Sequence, residues 1–188
     1  MNRSKRAIPT LLLLGLLPLT QATAAGTEGE GRSFVTEAGR TVEIDRDLVT
    51  GPAGGRALRR DVTVLDEAGN VIGERRDLRG RTADGDRVRA AGRRWTDAHG
   101  DQRTATRARR ADADGDVHRR TARTVRDEDG ALHHRSVNRT HRQADGDRRS
   151  VQRRLHAGEH GNRATRRVLR DTGDGTRAVH RQRFLRLH

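Results

Sequence analysis

The chain has 188 residues, with 40 Lys plus Arg against 26 Asp plus Glu and a formal net charge of +14. It has no Cys, no Tyr, one Trp and two Phe, so it has few large side chains to fill a core and no disulfide to replace one. Charged residues make up 35% and hydrophobic ones 31%. That balance excludes a densely packed globular interior and approaches the composition of disordered chains.

The first element in chain order is a targeting segment, residues 1–24. Arg3, Lys5 and Arg6 form a positive region ahead of the apolar run "AIPTLLLLGLLPLT", and Ala22-Thr23-Ala24 is an A-x-A cleavage signal. The run is too short to span a bilayer and no stop-transfer segment follows, so it reads as a helical secretory signal peptide with cleavage directed by Ala22 and Ala24. No Cys follows, which excludes a lipoprotein. The mature chain is expected in the periplasm or outside the cell, with peripheral attachment to the envelope as an option. A short segment, residues 25–37, precedes the repeats and can supply one extra strand.

Residues 38–188 form a repeat domain. Gly recurs at 39, 54, 69, 85, 100, 115, 130, 146, 161 and 175, with gaps of fourteen to sixteen residues and most often fifteen. "DGDVHRRTARTVRDE" and "DGALHHRSVNRTHRQA" are representative units. Asp-Gly is a hairpin signal, because Gly takes up positive φ at no steric cost. The stretches between are rich in Thr, Val and Arg, which favours strands. The expected fold is all-β: an antiparallel hairpin meander of about ten fifteen-residue repeats joined by two-residue loops, in a single-layer or weakly curled sheet. The sixteen-residue units need a bulge or a longer loop to keep register. A helical hairpin array fits less well, since few units show helical apolar spacing. Disorder is the remaining alternative.

Alternation sorts each strand into two faces. Val117, Arg119, Thr121, Arg123 and Val125 share one, and His118, Arg120, Ala122, Thr124 and Arg126 the other. Val42, Ile44 and Leu48 make a better apolar face, so the ends of the chain look more packable than the middle. With Arg on both faces and three aromatics in the mature chain, a lipid-facing barrel is excluded.

Charge is unevenly spread. Residues 25–96 carry 14 Arg and 13 acids, whereas residues 97–188 carry 23 Arg, 13 acids and all nine His. Lys5 is the lone Lys, a skew that matches a GC-rich coding bias as well as function. The second stretch is expected to face anions. The Arg of "RTATRARR", "HRRTARTVR" and "RRSVQRRLH" form rows suited to bidentate contact with phosphate or sulfate. The candidate contacts are Arg107, Arg109, Arg110, Arg119, Arg120, Arg123, Arg126, Arg148, Arg149, Arg153 and Arg154. Expected partners are envelope polyanions: lipopolysaccharide, acidic polysaccharide or extracellular DNA. Scarce aromatics argue against base stacking and for salt-dependent backbone contact.

Other motifs carry less. Asp112, Asp114 and Asp116 sit at the first, third and fifth positions of a calcium-like loop, but the closing position holds Arg123. His156-Ala157-Gly158-Glu159-His160 matches H-x-x-E-H but contains a Gly and runs into a repeat turn, which suits no zinc helix. His118, His133, His134, His141 and His156 lie in neighbouring units, where cross-strand pairing can assemble a transition-metal site. His133 and His134 are adjacent and should face opposite sides. No resident metal or cofactor is expected, and a His-based periplasmic metal-binding protein is the alternative function. No G-x-S-x-G, Cys nucleophile or phosphate loop points to an enzyme.

"GRTVEIDRDLVTGPAGG" and the later "DG" turns resemble a loose group of exported bacterial proteins with Thr/Arg-rich strands and Gly-turn hairpins. The D-x-x-G turns are also similar to YD-type (RHS) repeats, although the Tyr of that repeat is missing from every unit. The resemblance implies hairpin repeats and transfers no functional residue. The sequence thus points to an exported, non-catalytic repeat protein of structural or polyanion-binding character.

Overall fold

The structure, a computed structural model, describes residues 31–51, 54–158 and 161–186. The expected signal-peptide helix and its expected cleavage site lie outside the described residues. Eleven strands follow in chain order: β1 (Arg32–Val35), β2 (Thr41–Thr50), β3 (Arg56–Leu65), β4 (Val71–Arg81), β5 (Arg87–Thr96), β6 (Gln102–Ala111), β7 (Val117–Arg126), β8 (Leu132–Arg142), β9 (Arg148–Gly158), β10 (Gly161–Asp171) and β11 (Arg177–Arg186). They form one antiparallel sheet in the order β1 to β11, and β1 does not pair with β11, so the sheet stays open. The ten repeat units each supply one strand, and the segment before them adds the short β1.

The turns correct one expectation. At the β6–β7 turn the Asp112 N–H donates to the Asp116 carbonyl at 3.1 Å and the Gly115 N–H to the Asp112 carbonyl at 3.3 Å. This is a three-residue loop ending in a Gly bulge with φ 93°, where a two-residue loop was expected. The Asp112 side chain decides the matter locally, because its Oδ1 accepts the Asp116 N–H at 2.8 Å and caps the loop. Asp66 and Asp127 accept backbone N–H groups in the same way at 2.8 and 2.7 Å. The exception is β9–β10, where Gly158 pairs with Gly161 and leaves only two residues between.

Both sixteen-residue units carry a bulge. Val64 pairs with Gly73 and Leu65 with Val71, which leaves Ile72 extra. Val125 pairs with His134 and Arg126 with Leu132, which leaves His133 extra. The added residue is absorbed in the strand, and the pairing resumes beyond it.

Among the described residues no hydrophobic side chain is buried, and Asp86, 4% exposed, is the one buried polar residue. The ladder of backbone hydrogen bonds and the half-covered stems of Arg, Thr and Val hold the sheet together. Large hydrophobic residues that remain exposed sit at the two ends: Phe34, Val35, Leu48, Leu58 and Val71 in β1–β4, and Val179, Phe184 and Leu185 in β11. Apolar side chains do concentrate towards the ends of the chain, but no closed core forms there.

Candidate functional site: an arginine-lined face

Directly paired residues share a face, so the register assigns every strand residue to one of two sides. One column runs Leu48, Leu58, Arg79, Arg89, Arg109, Arg119, Thr140 and Ser150 across β2 to β9. The side that carries it is the front face. Arg79, Arg89, Arg109 and Arg119 follow one another on adjacent strands, so their stems stand about 4.8 Å apart. The row continues into hydroxyls: Thr140 donates to Ser150 at 3.4 Å, and Ser150 to Asn138 at 3.0 Å.

The front face holds a groove of about 750 Å³ across β2 to β7. Arg46, Arg60, Arg75, Arg79, Arg89, Arg107, Arg109 and Arg119 line it, with Leu58 and Thr121. A single acid, Asp77, lines it too, paired with Arg75 at 2.8 Å. The Nε–H of Arg60 is covered and has no acceptor. A covered donor without a partner is costly.

The back face explains where the acids of the first half went. Asp47 pairs with Arg59. Asp61 takes Arg76 Nε at 2.6 Å and lies 3.4 Å from Arg59 Nε. Glu74 takes Arg94 at 2.7 Å. Asp47–Arg59, Asp61–Arg76 and Glu74–Arg94 are direct cross-strand neighbours, so they form a ladder of ion pairs along β2 to β5. The Asp61 carboxylate holds the Arg76 guanidinium above its already high ordinary value, against an opposing effect of partial burial. A segment with nearly balanced charge therefore presents a basic front and a back on which Arg59, Arg76 and Arg94 are each matched by an acid.

The sequence-derived arginines divide between the faces. Arg107, Arg109 and Arg119 line the groove, and Arg123, Arg148 and Arg154 share its face beyond the groove. Arg110, Arg120, Arg126, Arg149 and Arg153 stand on the back. Two of these are already engaged. Arg110 Nε donates to Asp86 at 2.6 Å, and Arg126 donates to the Gly130 carbonyl at 2.6 Å. Arg46, Arg60, Arg75, Arg79 and Arg89 line the groove but were not among the candidates, because net charge per segment hides them. A signal for them was present. In "TVEIDRDLV" Glu43, Asp45 and Asp47 share one parity and Arg46 has the other.

The histidines form two cross-strand pairs on opposite faces. His118 pairs with His141 on the back, with stacked rings 4.2 Å apart. His134 pairs with His156 on the front, 6.3 Å apart and tilted. His133, the bulge residue, lies 3.1 Å from Asp127 Oδ2 and joins neither pair. The H-x-x-E-H segment does not run along a helix: His156 is in β9 and Gly158 pairs with Gly161. Its Glu159 and His160 lie outside the described residues.

No family model matches the chain, and no curated protein and no solved structure matches it either.

Proposed function

We propose that this is an exported, non-catalytic protein of the cell envelope that binds linear polyanions along its front groove. One observation carries the reading: eight arginines and one acid line a continuous groove, while Asp47, Asp61 and Glu74 of the same strands are paired with arginines on the opposite face. Arg forks recognise phosphate and sulfate oxygens two at a time, and a row on adjacent strands offers the same contact repeatedly. Such a row suits a chain of regularly spaced anionic groups more than one compact ligand. Lipopolysaccharide phosphates, acidic polysaccharide and extracellular DNA all have that chemistry. The N-terminal charge pattern and A-x-A signal support export.

The test uses the mature chain with heparin, lipopolysaccharide and duplex DNA. Replacing Arg79, Arg89, Arg109 and Arg119 together by Gln is expected to lower affinity at least tenfold. For DNA it should reduce the slope of log K against log salt by roughly 3 to 4, at about 0.9 per phosphate contact. The control replaces Arg76 and Arg94, which belong to the back-face ladder, and should leave binding unchanged. Equal losses in both variants, or binding that ignores salt, overturn the reading.

A further inference from the structure

We infer that Asp116, His118 and His141 form a site for an imidazole-preferring divalent transition-metal ion, on the face opposite the groove. One donor atom from each residue lies within 4.8 Å of the others. Asp116 Oδ2 is 3.2 Å from His141 Nε2. Its other oxygen, Oδ1, accepts the Ala144 N–H at 3.0 Å, and the Asp116 N–H is itself held by Asp112. The carboxylate is thus oriented by two turns at once, with one oxygen left for a ligand role. The His118 and His141 rings stand 4.2 Å apart and within 9° of parallel. Two imidazole nitrogens on one tetrahedral ion sit roughly 3.3 Å apart for bonds of about 2.0–2.1 Å. Parallel stacked rings aim their nitrogen lone pairs side by side, so binding requires the two rings to splay from the stack until both lone pairs converge on the ion.

A comparison within the sheet shows why the chemistry arises here. Asp86 holds the same turn position as Asp116, one hairpin earlier on the same edge, and it pairs with Arg110. A guanidinium fills the carboxylate and has no lone pair to offer a metal. At the next turn His141 stands in that place, and His118 pairs directly beside it. The substitution turns a structural ion pair into a set of two nitrogens and one oxygen. Arg110 and Arg149 are the direct cross-strand neighbours of the two histidines. Arg110 is neutralised by Asp86, whereas Arg149 weakens the site by like charge. Binding is therefore expected to be modest and to follow the nitrogen preference of the ion: Cu²⁺ above Zn²⁺ and Ni²⁺, with Mg²⁺ and Ca²⁺ excluded.

The experiment titrates the mature chain with Zn²⁺ by calorimetry and with Cu²⁺ by NMR, without any polyanion. One Zn²⁺ per chain is expected. His118→Gln and Asp116→Asn should each weaken binding at least tenfold, and His156→Gln, which breaks the front-face pair, should leave it unchanged. His118 makes no side-chain hydrogen bond among the described residues, so its replacement leaves the fold intact, as circular dichroism would verify. In the unmodified chain substoichiometric Cu²⁺ should broaden the His118 and His141 imidazole signals first. Absence of saturable Zn²⁺ binding, an equal loss in His156→Gln, or uniform broadening of all histidines overturns the inference.

Discussion

Strands β2–β5 and strands β7–β10 share their period and, apart from the β9–β10 loop, their turn, yet they manage charge in opposite ways. In the first group acids lie within the strands. Asp47, Asp61 and Glu74 neutralise Arg59, Arg76 and Arg94 across the back face and leave the front basic. In the second group the strands carry almost no acid, because the carboxylates have moved to the turns: Asp112, Asp127 and Asp147 are examples. On their back face Arg faces Arg directly in the pairs Arg120–Arg139, Arg153–Arg166 and Arg149–Arg170, whereas in β2–β5 such pairs, Arg46–Arg60 and Arg79–Arg89 among them, stand on the front. The location of the acids, in strand or in turn, decides whether a repeat builds one basic face or two. Net charge alone does not.

The comparison can be broken most directly at Gly80. A Cβ there would run into the Arg56 carbonyl oxygen and the Ala57 Cα of β3. Gly80→Ala is expected to cost about 2–3 kcal/mol, typical of overpacking, by urea unfolding. In a chain of nearest-neighbour contacts the damage should stay local, with amide exchange faster in β3–β4 and unchanged in β7–β10. Gly92→Ala is the counterpart. Its Cβ would meet only Thr106 Cγ2, at 3.9 Å, and the change should be neutral or stabilise by about 0.5 kcal/mol. Exchange that accelerates across the whole sheet in Gly80→Ala would show that the halves are one cooperative unit.

Salt should separate the halves with a smaller effect. Screening weakens the repulsion among the unpaired arginines of β7–β10 and the attraction within the ladder of β2–β5. Raising NaCl from about 0.05 M to 0.5 M, where the Debye length falls to a few ångströms, should slow amide exchange in β7–β10. Exchange in β2–β5 should quicken slightly. The same sign of change in both halves would contradict the division. A smaller loss than at Gly80 is expected at Asp61, where Asp61→Asn removes a partner from both Arg59 and Arg76. Cross-strand pairs this exposed are worth about 0.5–1 kcal/mol, and the loss should shrink at high salt.

Much of this was legible along the chain because it is local. A Gly every fifteen residues, Asp ahead of it, and Thr and Val between define turn and strand from neighbours a few residues apart. The two sixteen-residue units required either a bulge or a longer loop, and the sheet has bulges at Ile72 and His133. Within one strand the alternation was also readable, as the separation of Arg119 from Arg120 illustrates.

Between strands, the answer depends on the tertiary structure, because side-chain direction has a period of two. A two-residue loop at Asp114-Gly115 would pair Arg109 with Arg120. The three-residue loop pairs it with Arg119 and so completes the front row. One residue in one loop exchanges the faces of the next strand, and that choice is made by a side chain, Asp112, capping its own turn. The same sum over successive loops and bulges brings Arg46 into one groove with Arg119, and His141 against Asp116. The sequence by itself determined a ladder of antiparallel hairpins with an excess of arginine. Only the folded sheet decided which arginines stand together, because facing is a cumulative property of every turn crossed and not of any one segment.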